Sequence, residues 1–319
     1  MKTFILALLS LALLGCEPDI PRDSAADAEP DTRPVAYAMN YPLAWMAQRL
    51  AGDAIRVELP VPDELDPADW MPGADDLLKL RQADLILLNG AGYSIWVSRA
   101  GLPNHLLIDT SRNIRDRLIR FDDPARQQAA EGAGGHGDWA FTIWLDPTLA
   151  IEQAAAIRDA FVNLMPDRHA EFEVRFSRLE LDLQQLDTRL EQAFAPFSGQ
   201  PVLFSRPVYQ YLQRRYGLDG LAVNWRPRQL LGPEDLEMLE MLRLSHPAKV
   251  MFWEDYLLQV TVDQLEAIGV KSVVFRTGAS RPESGDYLSL MQENLDNLAH
   301  FRPAGPREDN GIDGDDGEA

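Results

Sequence analysis

The sequence predicts an α/β protein of two lobes, each built on a four-stranded parallel sheet, with a long stiff helix between them. Three observations carry this expectation. Short runs rich in Val, Ile, Leu, Phe and Tyr alternate with amphipathic helical patterns, as they do where helices cover parallel sheets. The runs fall into two groups of four, one in each half of the 319-residue chain. Between the groups lies a single apolar stripe at helical spacing.

The chain opens with Met1 and Lys2, followed by an almost wholly apolar run at 3–14. A short positive start and an apolar run of this length form a secretory signal, too short to serve as a membrane anchor. Leu13-Leu14-Gly15-Cys16 closes the run as a lipobox-like motif, and Cys16 is the only cysteine. Cleavage before Cys16 and lipidation of its thiol are expected, so that acyl chains hold an exported protein on a bacterial membrane, facing the periplasm or the cell exterior. No intrachain disulfide is possible, so the fold depends on its core, and the length suffices for two lobes of ordinary size. The formal net charge of -20 argues against nucleic acid, whose phosphates would be repelled.

After the signal at 1–16, residues 17–33 are rich in Asp, Glu, Pro and Ala and read as a flexible tether. The N-terminal lobe spans 34–145, with strands expected at 35–39, 55–61, 84–88 and 105–109. Asp146-Pro147 reads as an N-cap and first helical residue, opening a helix to about residue 164 that Pro166 interrupts. Phe172, Phe176, Leu179, Leu183, Leu186, Leu190 and Phe194 then recur every three or four residues on a long helix, so that 146–197 links the lobes. The C-terminal lobe spans 198–302, with strands expected at 202–205, 221–225, 249–253 and 271–276. Residues 303–319, acidic and glycine-rich, read as a disordered tail.

Ligands of open parallel sheets bind beyond the carboxyl ends of the strands. Those ends carry Asn40, the stretch 66–70, Arg206, Arg226, Glu254 and Arg276. Enzyme signatures are missing from the sequence. Asn40-Tyr41-Pro42 after the first strand has no glycine for a phosphate loop, no Gly-x-Ser-x-Gly elbow occurs, and lipidation would remove the thiol of Cys16. A binding protein, not an enzyme, is expected.

Several motifs then fall in a telling order. Asn40-Tyr41-Pro42-Leu43 precedes Ala51-Gly52-Asp53; Lys79-Leu80 and Ala83-Asp84-Leu85 lead to Asn89-Gly90-Ala91-Gly92-Tyr93 and Trp96; Trp144-Leu145-Asp146-Pro147 enters the long helix; and Tyr211 precedes Arg215-Tyr216-Gly217-Leu218. Across residues 34–302 this series resembles the periplasmic solute-binding receptors that capture zinc or manganese for bacterial ABC importers. The resemblance implies two Rossmann-like lobes bridged by a long rigid helix, a ligand cleft between the lobes, and permease and ATPase subunits as partners. Zinc or manganese is implied by the resemblance alone.

Members of that family hold their metal with three histidines and a carboxylate, ligands that suit these ions. Carried over position by position, all four are replaced. Asp66-Pro67-Ala68 stands where the family has Asp-Pro-His. Thr142 replaces the histidine two residues before Trp144, and Arg206 the histidine five residues before Tyr211. Arg276 aligns with the final aspartate. A methyl, a hydroxyl and two guanidiniums remain, and arginine, always protonated, has no lone pair to offer a metal.

Three expectations for the cleft stay open. It holds no ligand, with Arg206 and Arg276 paired to Glu254 or Asp255; or it binds an anion or zwitterion through forked guanidiniums, Arg226 and Arg228 adding to the field; or a metal binds elsewhere, on Asp66 and Asp69 with Glu254, or on Asp75 or His136. The first ranks ahead, because structural ion pairs occupy pockets more often than new ligands arise. His136 stands alone in a glycine- and alanine-rich loop, and one histidine cannot gather metal. Trp70 is placed at the cleft by its position after the second strand, although interior packing is the default for tryptophans near strand ends. The expected function is a receptor lipoprotein of a metal-class ABC importer with a degenerate metal site. The alternative is a non-transport interaction or regulatory lipoprotein on the same scaffold.

Overall fold

The structure is a computed structural model that describes residues 31–63, 65–121 and 138–301. Cys16 and its signal, most of the tether, His136 and the acidic tail lie outside these residues.

The N-terminal lobe begins with strand β1 (Val35–Ala38), helix α1 (Tyr41–Ala51) and strand β2 (Arg56–Glu58). Helix α2 (Ala74–Arg81) and strands β3 (Leu85–Leu88) and β4 (Leu107–Asp109) complete it. The strands are parallel in the order β2-β1-β3-β4. Asn40 starts α1 by accepting a hydrogen bond from the Leu43 amide at 3.0 Å, with Pro42 in the first turn. That pairing of an amide cap with an early proline satisfies donors that the helix cannot. Gly52 ends α1 at φ 56°, and a Cβ there would come within 2.6 Å of the Arg175 guanidinium. Only glycine lets that guanidinium donate to the Ala51 carbonyl, at 2.9 Å.

Two helices then run between the lobes. Helix α3 (Pro147–Leu164) is capped by Asp146, which accepts from the Thr148 amide at 3.0 Å. A short turn at Pro166–Arg168 separates it from helix α4 (His169–Phe194). At 26 residues and ~1.5 Å per residue, α4 is about 39 Å long. Every residue of its predicted stripe is buried. Ion pairs tie its middle to both lobes: Asp182 to Arg49 of α1, and Asp187 to Arg215 of helix α5 (Gln210–Tyr216).

The C-terminal lobe repeats the plan of the first. Its strands β5 (Pro201–Phe204), β6 (Asp219–Ala222), β7 (Val250–Trp253) and β8 (Lys271–Val274) are parallel in the order β6-β5-β7-β8. Helices α6 (Pro233–Ser245), α7 (Gln259–Ala267) and α8 (Tyr287–His300) join α5 around the sheet. One hydrophobic cluster runs from the inner face of the first sheet (Ala36, Ala38, Leu85, Leu87), through the α4 stripe, to the inner face of the second (Phe204, Val250, Phe252). Alternate residues build a separate outer core on each lobe, around Tyr37, Ile86 and Trp96 in one and Leu203, Met251 and Trp253 in the other. Burial on both faces explains why the strands read as continuous apolar runs.

Strand β6 is shifted from its expected place. The sequence places it on the apolar run 221–225, whereas β6 pairs two residues earlier, with Val202 opposite Gly220. A Cβ at Gly220 would sit 2.1 Å from the Phe204 ring, so this glycine is what allows the strand to lie against its neighbour. Asn224, at φ 62°, then turns the chain away. Strand β2 is also shorter than the expected 55–61.

Phe194 packs against Phe197, Tyr216, Phe252 and Phe275 where α4 meets the second sheet. Phe194→Ala is expected to lower stability by about 3–5 kcal/mol. Leu181→Ala, on the exposed face of the same helix, should cost less than about 0.5 kcal/mol. Equal losses in urea unfolding would show that the stripe does not hold the lobes together.

Candidate ligand cleft between the lobes

In each sheet the chain moves from the first strand to one side and then returns to the other. The crevices between β1 and β3 and between β5 and β7 are therefore the switch points at which such sheets receive ligands. The two are filled differently. In the N-terminal lobe, buried Asn40 donates from Nδ2 to Asn89 Oδ1 at 3.3 Å, and Asn89 donates to the Phe141 carbonyl at 2.8 Å. Gln153 of α3 donates to Asn89 Oδ1 at 3.3 Å and to Thr110 Oγ1 at 3.0 Å. This crevice is closed by a neutral amide network, to which the sequence reading contributed Asn40 but not Gln153. A lone glutamine within a helical pattern carries no signal of such a role.

In the C-terminal lobe the crevice holds charge. Arg206, just past β5, meets Glu254, just past β7, at 2.7 Å, and Asp66 of the other lobe lies 3.9 Å from the same Nη1. Burial pushes the Glu254 carboxyl above its usual range, and Arg206 offsets only part of that push. Asp66 is raised for the same reason, against the pull of the Ala68 amide and of Arg206. For Arg206 burial works against the charge, but Glu254 and Asp66 outweigh it and hold the guanidinium above its ordinary value.

The four positions carried over from the family sit around this pair. Arg206 and Arg276 both line an interlobe cleft of about 610 Å³ together with Asp66 and Glu254. Ala68 is buried in the central cluster, its amide donating to Asp66 Oδ1 at 3.0 Å. In the same cluster lies Tyr93, whose buried hydroxyl has no hydrogen-bond partner among the described residues. Thr142 is also buried and donates its hydroxyl to the carbonyl of Val208, two residues past Arg206. It thus serves as a tie between the lobes.

Two expectations require correction. Arg276 pairs not with Glu254 or Asp255 but with Glu293 of α8, at 3.6 Å, while its backbone exchanges hydrogen bonds with Asn294. Helix α8 packs against β8, so its carboxylate is nearer than those beyond β7. Trp70 faces away from the cleft and meets Trp96 edge-on, with ring centres 5.6 Å apart, in the outer core of the N-terminal lobe. Its indole gains more from apolar burial than a polar cleft can offer. Trp225 and Trp253 stack on each other in the opposite outer core.

The donor set does not fit a divalent cation. Among the described residues no group of three or more His, Cys, Asp and Glu side chains is placed to hold a metal. Asp69 is exposed on the loop beside Asp66, and Glu254 is committed to Arg206. The cleft is also firmly closed at its back. Trp144 Nε1 donates to the Thr277 carbonyl at 2.8 Å, the Tyr41 amide to the Ala279 carbonyl at 2.9 Å, and the Tyr287 hydroxyl to the Trp144 carbonyl at 3.2 Å.

Removing Arg206 tests the pair. Arg206→Met leaves Glu254 buried without its counter-charge, a loss of about 3–5 kcal/mol for a buried pair. The Glu254 carboxyl then rises further, so the folded state retains a proton that the unfolded chain has released. Stability must therefore fall as pH rises from the ordinary glutamate range through the raised folded value. The deficit of the variant against the parent should be largest near neutral pH and shrink toward about pH 4. Adding Glu254→Gln should recover most of it. A deficit equal at both pH values in urea unfolding would remove Glu254 as its cause.

Comparison with known proteins places this architecture. The family described as "Zinc-uptake complex component A periplasmic" matches residues 37–301. The zinc uptake system protein ZnuA of Bacillus subtilis is 25% identical over 306 residues, covering 92% of this chain and 95% of that protein. The manganese ABC transporter substrate-binding lipoprotein PsaA of Streptococcus pneumoniae is 25% identical over 304 residues, covering 91% and 94%. Among solved structures, the metal-dependent lipoprotein YcdH of Bacillus subtilis superposes with a TM-score of 0.72 at 23% identity, over 85% of this chain and 99% of that one. The Zn(II)-bound ZnuA-like domain of Streptococcus pneumoniae AdcA gives 0.72 at 21% identity over the same shares. Two four-stranded parallel sheets, a bridging helix and a family match across nearly the whole described chain lead to one conclusion: the chain belongs to the zinc-uptake component A family of periplasmic solute-binding proteins.

Proposed function

We propose that this chain is the solute-binding receptor of an ABC importer of the metal class, whose cleft holds a fixed Arg206–Glu254 ion pair in place of a bare dication. The observation that carries the reading is that pair, 2.7 Å apart at the switch point of the C-terminal lobe. The guanidinium supplies positive charge where the family resemblance places a metal-binding histidine. It has no lone pair to ligate, and its charge opposes a cation's entry. Permease and ATPase subunits are the partners that the family implies. Attachment is through lipid on Cys16, consistent with relatives named as lipoproteins. None of the described helices is long and apolar enough to cross a membrane.

Protein purified without chelator should carry no stoichiometric zinc or manganese by elemental analysis. Restoring the family's ligands with Ala68→His, Thr142→His, Arg206→His and Arg276→Asp should introduce a zinc-dependent rise in melting temperature. Tight zinc in the unmutated cleft would overturn this reading. Full-length protein solubilised from its own membranes should bring down an ABC permease and ATPase; recovery without them would favour an interaction lipoprotein. Cys16→Ala should move the protein from the detergent phase to the aqueous phase, and unchanged partitioning would exclude the lipid anchor.

A further inference from the structure

The charges around the cleft are sorted by wall. The wall from the C-terminal lobe carries five arginines against three carboxylates, Glu254, Asp255 and Glu283. The wall from the N-terminal lobe carries Asp63 and Asp66 and, among the described residues, no basic group. Much of this charge is uncommitted. Arg206 is paired with Glu254 and Arg276 with Glu293, but Arg226, Arg228 and Arg281 make no ion pair among the described residues, and neither does Asp63. The two walls also sense each other, because Arg226 acts on the partly exposed Asp66 carboxyl through space.

A cleft polarised in this way selects against single charges. A lone anion meets the aspartates, a lone cation meets the guanidiniums, and each gains at one wall what it loses at the other. A solute with a carboxylate at one end and an ammonium at the other gains at both. Guanidiniums grip carboxylates through two parallel N–H donors, and Asp66, raised by burial, gains from a nearby ammonium. The volume of about 610 Å³ is that of an organic-ligand pocket, far larger than one ion requires.

We propose that the cleft binds a small zwitterion of the amino-acid or short-peptide class, its carboxylate against Arg226, Arg228 and Arg281 and its ammonium against Asp63 and Asp66. This deepens the receptor reading and rests on it. The test uses full-length protein and a pool of free L-amino acids with synthetic di- and tripeptides, read by native mass spectrometry and thermal melting. The expected result is a bound species from this pool with a higher melting temperature, and at least tenfold weaker retention from the same pool after N-acetylation or C-amidation. Arg226→Gln combined with Arg228→Gln, both at exposed positions, should keep the unliganded melting temperature and weaken retention at least tenfold. Asp63→Asn should do the same. Equal retention of the blocked pools, retention of citrate or phosphate alone, or no retention at all would overturn the proposal. Co-purification with permease and ATPase separates the two readings: protein that recovers them but retains no zwitterion overturns the ligand class and leaves the receptor intact.

Discussion

The apolar stripe of α4 is the constraint on which the rest of the structure depends. Each sheet buries one face on its own helices and the other on this spine. The result is one continuous cluster from Ala36 to Phe252 instead of two independent cores. A helix whose seven stripe residues are all buried cannot bend without opening apolar surface to water. The distance between the two sheets, and hence the width of the cleft, is set by packing. Arg49 with Asp182 and Arg215 with Asp187 fix the same spine on its polar side.

Within that frame the two switch points face each other with opposite chemistry. The amides of Asn40, Asn89 and Gln153 bond to one another and leave the N-terminal crevice neutral. The C-terminal crevice keeps a buried ion pair, with a third charge reaching it from the other lobe. A buried pair of this kind is poor evidence for stability, because desolvation cancels much of the attraction. Its effect lies in the field it leaves: Arg206 is compensated within the protein, and the guanidiniums nearer the mouth are not.

The lobes are joined behind the cleft as well as along the spine. Thr142, Trp144, Tyr41 and Tyr287 each make a hydrogen bond that crosses from one part of the cleft wall to another. Tyr211 adds two more, accepting from the Ile119 amide and donating to the Ala140 carbonyl while burial pushes its phenol up to about 12. Ala68 and Thr142 thus serve packing and interlobe bonding.

Local chemistry determined most of the architecture. Two sets of four apolar runs, the Asp146-Pro147 cap, the break at Pro166 and the stripe from Phe172 to Phe194 all follow from periodicity and backbone preference, which act between near neighbours. The match of Arg206 to Glu254 was also legible, because both follow adjacent strands of one parallel sheet. What the sequence could not decide depends on partners distant in the chain. Gly220 sets the register of β6 only because the Phe204 ring lies beside it. Arg276 turns to Glu293 because α8 packs on β8, and Trp70 turns outward because Trp96 is there to receive it. The sorting of charge onto two walls likewise exists only once the lobes face each other, since electrostatic energy depends on separation in space and not on order along the chain.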